Sequence, residues 1–121
     1  MREIFWEGTT EGLVTNWFEK NFNLLGFIKI VKNVNITPDY FAYTDEINFK
    51  KVECEFFSSS FIKHRHKIKD VDIVLCAFAD VPLPVDIICL ENFGIITEYS
   101  KKYRKLMWKK MEKYYRKIMG D

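Results

Sequence analysis

The stretch TPDYFAYTDEINFKKVECEFFSSSF, residues 37 to 61, sets the carboxylates of Glu53 and Glu55 among Val52, Cys54, Phe56 and Phe57. Valine, cysteine and phenylalanine at this density predict a strand that is buried. Alternate side chains of a strand share a face, so Glu53, Glu55 and Phe57 point one way and Val52, Cys54 and Phe56 the other. Two carboxylates on one face of a central strand do not both ionise comfortably unless a cation or solvent meets them. A divalent metal resolves the conflict, because hard ions such as Mg²⁺ take oxygen ligands and keep part of their water. Asp39 lies just upstream, and a hairpin through the polar turn TDEIN brings it to about the height of Glu53 and Glu55. Three carboxylates then converge at one end of two paired strands, where a metal can activate water and stabilise charge on a phosphate. The plainer alternative is a solvated Glu pair on an amphipathic strand, with Asp39 in ordinary turn chemistry after Pro38.

The next segment, SSSFIKHRHKIKDVD, supplies Ser58, Ser59, Ser60, His64, His66 and Asp72. Its histidines suit a general base or a phosphate contact. Lys63, Arg65, Lys67 and Lys69 make it basic, as an approach to a polyanion requires. A solvated basic loop is the alternative, and His64 is assigned to it. Ser59 is placed to bond a carboxylate or a DNA phosphate. No Gly-x-Ser-x-Gly elbow accompanies these serines, and no phosphate-cradling glycine loop occurs, so a serine nucleophile and a nucleotide fold are not indicated.

These residues need a frame. Residues 8 to 24 predict a helix capped by Thr9 or Thr10, with Leu13, Val14, Trp17, Phe18 and Leu25 on its buried face and Gly26 as its stop. Residues 27 to 34 predict an edge strand, YFAYT a short strand, and residues 49 to 57 the strand of Glu53 and Glu55. Residues 72 to 78 and 85 to 91 are compact apolar runs that suit a parallel part of a sheet, joined through Pro82 and Pro84. From about Tyr99 to Met119 one long helix is expected, docking through Tyr103, Met107, Met111, Tyr114 and Ile118. The order predicts an α/β domain, a central mixed sheet of about five strands flanked by helices and closed by that long C-terminal helix.

The 121 residues suit one domain, 1–121, and 48% hydrophobic with 17% aromatic content excludes disorder as its main state. The net charge of +2 is small, but Lys101, Lys102, Arg104, Lys105, Lys109, Lys110, Lys113, Arg116 and Lys117 crowd the last segment, against only Glu112 and Asp121. Such a stripe contacts phosphates without reading sequence, or is simply a solvated helix face. Trp108 and Tyr115 fall off the docking face and suit a dimer interface or base stacking. No signal peptide or membrane span is read. Cys54, Cys76 and Cys89 are expected as buried free thiols in a reducing cytoplasm.

PDY followed by ECE resembles the bipartite motif of the PD-(D/E)XK nuclease superfamily, which includes restriction endonucleases, archaeal Holliday junction resolvases and several repair nucleases. The continuation ECEFFSSSFIKHRH…DVDIVLCAF is similar to an archaeal and viral branch of it, which would place the chain in a host cytoplasm if viral. The likeness spans about residues 8 to 91. It implies a restriction-endonuclease-like core of a helix, a three-stranded meander, a helix and a further strand. It further implies a DNA endonuclease dependent on Mg²⁺ (or Mn²⁺), with Asp39 and Glu53 as metal ligands and Glu11 as an additional helical ligand. Glu55 stands in the place of the superfamily Lys, where it binds metal or takes a proton from water, or else marks a catalytically silent domain that binds nucleic acid. His66 and Asp72 occupy family-like positions and would form a hydrogen-bonded pair bordering the site. Ser59, His66, Lys67, Lys102, Lys105 and Lys109 would contact DNA, and a homodimer is compatible with the aromatic surplus.

Overall fold

The computed structural model describes residues 4–6, 11–34, 36–97, 100–102, 105, 109 and 113. Their elements run β1 (Ile4–Trp6), α1 (Glu11–Asn21), β2 (Lys29–Lys32), β3 (Tyr40–Tyr43), β4 (Phe49–Phe57), α2 (Ser58–Lys63), β5 (Ile73–Phe78), β6 (Asp86–Cys89) and β7 (Ile95–Thr97). Short 3-10 turns occupy Phe22–Leu25, Ile68–Asp70 and Leu90–Phe93.

The apolar runs form a central mixed sheet in the order β2-β3-β4-β5-β6. Strands β2, β3 and β4 are an antiparallel meander, with Tyr40 opposite Val52 and Tyr43 opposite Phe49. Asp45 closes the β3–β4 turn by accepting from the backbone N–H of Ile47 and of Asn48, at 2.8 and 2.7 Å, the turn chemistry for which short acids are suited. Strand β5 lies parallel to β4, and β6 parallel to β5. The compact apolar runs are thus the parallel half, as their burial requires. Sequence patterning missed β1 and β7, which pair with each other, also parallel, as a separate two-stranded ribbon. Three-residue strands are too short to show a period.

Helix α1 lays Leu13, Val14 and Phe18 on one face of the sheet, against Tyr40, Ala42, Val52, Cys54, Phe56, Leu75 and Ala77. Phe18 meets Tyr40 edge-on at 5.1 Å and Phe27 at 6.2 Å, a favourable aromatic geometry. The helix stops earlier than its apolar pattern implies. The Asn21 amide bonds the Trp17 carbonyl at 2.9 Å, an alternative to continued helix, and the chain tightens into the 3-10 turn before Gly26 at φ 87°. Its predicted caps, Thr9 and Thr10, lie outside the described residues. On the opposite face Phe61 of α2 packs with Val71 and Val74, a smaller cluster edged by Leu83 and Val85.

Of the expected closing helix, Ser100, Lys101, Lys102, Lys105, Lys109 and Lys113 are described and helical, with every one of these lysines exposed. Tyr103, Met107, Trp108, Met111, Tyr114, Tyr115 and Ile118 lie outside the described residues. No helix among the described residues is long and apolar enough to cross a membrane. Cys54 and Cys76 are buried and Cys89 is half-buried, all as free thiols.

Phe18 is fully buried between the helix and the sheet. Phe18→Ala is expected to lower the unfolding free energy by about 3 to 5 kcal/mol in urea titration, as for other large aromatic truncations in cores. A loss below about 1 kcal/mol would contradict the central place given to this ring.

Candidate metal centre

Strand β4 runs on past its neighbour. Its pairing with β3 ends at Val52, so residues from Glu53 onward have β5 on one side and no strand of the meander on the other. Asp39, one residue before β3, occupies the opening: its Oδ2 accepts from the Cys54 backbone N–H at 2.9 Å, while its carbonyl accepts from Asn33 N–H at 2.8 Å. The carboxylate thereby satisfies a sheet donor that would otherwise lack a partner. It also brings Asp39 beside Glu53, as the hairpin register predicts.

Glu53 and Glu55 are buried, only 3% and 1% exposed. Burial is the main force raising the Glu53 carboxyl from 4.5 to about 9, reinforced by Asp39 and Glu55 and opposed by a hydrogen bond from the Thr37 hydroxyl. Burial likewise pushes Glu55 up to about 9, followed by hydrogen bonding to Glu11 and the charges of Glu11 and Asp39. Oε2 of Glu53 is buried with no hydrogen-bond partner. This Glu53 oxygen is neither solvated nor hydrogen-bonded, which is the condition a cation relieves. The solvated-pair alternative for Glu53 and Glu55 does not hold.

The imidazoles come from the end of α2. His66 N–H bonds Phe61 O and Arg65 N–H bonds Ile62 O, the pair of backbone bonds that ends a helix through a left-handed residue. That residue is Arg65, at φ 56°, where glycine is the usual occupant. The reversal turns both flanking rings toward one carboxylate. Nδ1 of His64 lies 3.2 Å from Oε1 and 3.1 Å from Oε2 of Glu55, and 3.7 Å from Oε1 of Glu11. Nε2 of His66 is 3.1 Å from Oε1 of Glu55, and its Nδ1 is 2.9 Å from Thr37 Oγ1. Burial first, and then His64, lower the pKa of His66 below 6.5. Glu55, His64 and His66 offer ligand atoms all within 4.8 Å of one another. A cleft of about 240 Å³ opens beside them, lined by Asn33, Ile36, Thr37, Asp39, Glu53 and His66.

The structure therefore gathers Glu11, Asp39, Glu53, Glu55 and His66 in one place, and adds His64, which the sequence pattern assigns to a solvated loop. The composite signal for His64 is a His-x-His following closely on Glu-x-Glu, but the left-handed residue that aligns the rings leaves no mark when it is arginine. The expected pair of His66 with Asp72 does not form. Both ring nitrogens of His66 are engaged elsewhere, and Asp72 Oδ2 instead accepts from Lys51 N–H at 2.8 Å, fastening the start of β5 to β4. Ser59 takes the carboxylate alternative: its hydroxyl and N–H bond Asp80 at 2.6 and 2.9 Å, and Ser58 joins them at 3.0 Å. Burial works to raise Asp80, yet these hydrogen bonds hold it below its ordinary range. Sequence reading missed Asp80 and Thr37, which act through segments distant along the chain. Lys67, Lys102, Lys105 and Lys109 are exposed.

Compared with known protein families, curated proteins and solved structures, the chain matches none.

In the unfolded chain Glu53 and Glu55 ionise near 4.5, whereas in the fold they keep their protons to about 9. The native state then binds more protons through this window, so stability is full at its acid end and falls as pH rises. Thermal melts of metal-free protein are expected to shift downward between about pH 5 and pH 9, with added Mn²⁺ recovering the loss. A melting temperature that climbs across this range would contradict the environment assigned to the two acids.

Proposed function

We propose that the chain is a metal-dependent DNA endonuclease that hydrolyses phosphodiester bonds, as the resemblance to the PD-(D/E)XK superfamily implies. The observation that carries this reading is the placing of Asp39 and buried Glu53 on one cleft, next to buried Glu55 on the same strand, with a Glu53 oxygen that has no hydrogen-bond partner. Support also comes from the order of elements, a helix, an antiparallel meander, a helix and a parallel strand, which is the order the resemblance implies. The donor set fits a divalent ion: an orphaned Glu53 oxygen with the Asp39 carboxylate beside it on the cleft.

Mg²⁺ or Mn²⁺ held there would lower the pKa of bound water and neutralise charge on the phosphodiester. Asp39 and Glu53 supply oxygens from the open side of β4, and Glu55 occupies the position of the superfamily Lys. A deprotonated carboxylate of the cluster accepts the proton of the attacking water, and Glu11, 47% exposed, hands it to solvent. The exposed Lys67, Lys102, Lys105 and Lys109 hold the DNA backbone, an attraction that weakens steeply with salt.

One observation favours a second reading, a catalytically silent nucleic-acid-binding protein. No lysine or arginine lines the cleft among the described residues or contributes to the shifts of Glu53 and Glu55, so the charge-stabilising Lys of the superfamily has no substitute of its own sign.

Incubating the protein with single-stranded, duplex and branched DNA separates the two. Cleavage that requires Mg²⁺ or Mn²⁺ and falls at least about 100-fold in Glu53→Ala is expected. Equal cleavage by the variant and the parent would remove the assignment, and a gel shift with no cleavage under any metal would favour the silent reading. Replacing Lys102, Lys105 and Lys109 together by Ala should flatten the dependence of DNA affinity on salt by about one unit of log–log slope for each phosphate that is no longer neutralised. An unchanged slope would place the DNA elsewhere.

A further inference from the structure

We propose that Glu55, His64 and His66 form a transition-metal site, a two-histidine, one-carboxylate centre, beside the oxygen-only pair of Asp39 and Glu53. The site belongs to the cleft on which the proposed hydrolysis rests, and what is added is the kind of ion that this half of it takes.

Spacing is the first ground. Donor atoms held about 2.1 Å from an ion stand roughly 3.0 Å apart at octahedral right angles and roughly 3.4 Å apart at tetrahedral ones. His64 Nδ1 stands 3.1 and 3.2 Å from the two Glu55 oxygens, and His66 Nε2 stands 3.1 Å from Oε1. Those separations fit donors arranged round a common centre as well as they fit hydrogen bonds, and all three donor atoms lie within 4.8 Å of one another. The contact from His64 to Oε2 lacks hydrogen-bond geometry, and Oε2 is buried with no other partner. Glu11 Oε1, 3.7 Å from His64 Nδ1, is the next oxygen outward.

Ring support is the second ground. His66 Nδ1 lies 2.9 Å from Thr37 Oγ1, while its Nε2 stands 3.1 Å from Glu55 Oε1. The ring is thus held from behind by a hydroxyl, with its other nitrogen facing the carboxylate. Thr37 is the outer partner that sets ring orientation, a role typical of residues behind metal-binding histidines.

Donor chemistry then selects the ion. Imidazole nitrogen suits Mn²⁺, Fe²⁺, Co²⁺, Ni²⁺ and Zn²⁺, whereas Mg²⁺ and Ca²⁺ favour oxygen and Mg²⁺ sheds its water reluctantly. Asp39 and Glu53 offer oxygen alone. A transition ion is therefore expected at the histidine half even in excess Mg²⁺.

Titrating the full chain with Co²⁺ in excess Mg²⁺ and without nucleic acid tests this, read by calorimetry and by the visible absorption that reports nitrogen ligation. One Co²⁺ per chain is expected, not displaced by Mg²⁺. His64→Ala and His66→Gln should each weaken it by at least about 10-fold, while Asp39→Asn leaves the spectrum unchanged. His64 is half-exposed, so its removal spares the core, and matched thermal melts would show that each variant folds. Displacement of Co²⁺ by Mg²⁺, or parental affinity in both histidine variants, would overturn the site. Histidine-dependent Co²⁺ binding without DNA cleavage leaves the site standing and removes the hydrolase. Mg²⁺-supported cleavage without such binding does the reverse.

Discussion

Glu53 and Glu55 sit on the middle strand of a five-stranded sheet, buried, with acids, a threonine hydroxyl and two imidazoles for neighbours. An ionised carboxylate placed there loses its hydration and has no lysine or arginine to answer it, only the imidazoles beside Glu55. It must hold a proton or share a cation with the groups around it. The cleft, the histidine arrangement and the functional reading all follow from that single electrostatic demand, and nothing in the apolar core requires it.

The scaffold meets the demand by leaving β4 half unpaired. Had β3 continued alongside it, backbone would fill the space that Asp39 now occupies, and Cys54 N–H would bond a carbonyl instead of a carboxylate. The other wall comes from α2, anchored at its start by Asp80 through Ser58 and Ser59 and turned at its end by Arg65. A non-glycine residue in the left-handed region costs on the order of 1 kcal/mol, and such strain is tolerated where surrounding contacts over-determine it. Here the two helix-ending backbone bonds and the contacts of both rings hold it in place.

The molecule separates stability from chemistry by face. Val52, Cys54 and Phe56 turn toward α1 and the main core, while Glu55 meets the imidazoles that follow α2. Strand alternation alone enforces this division. A change in the core therefore acts on the site through the position of β4, and a change among the acids acts on stability through protons and ions.

Much of this was legible along the chain. The period of two in residues 49 to 57 separated acids from apolar neighbours, the polar turn set the register that brings Asp39 near Glu53, and the Ile- and Val-rich runs marked the parallel strands, because each signal is local and burial imposes its period. The short ribbon of β1 and β7 carried no such signal. Nor could spacing assign partners to groups whose contacts depend on where distant segments arrive: His66 took Thr37 rather than Asp72, Ser59 took Asp80, and the half-exposed His64 took Glu55. The sequence by itself determined which residues must be buried and that two of them are acids; tertiary structure alone decided which donors surround those acids, since a hydrogen bond or a ligand position is set by ångström-scale approach of chain segments that residue order does not encode.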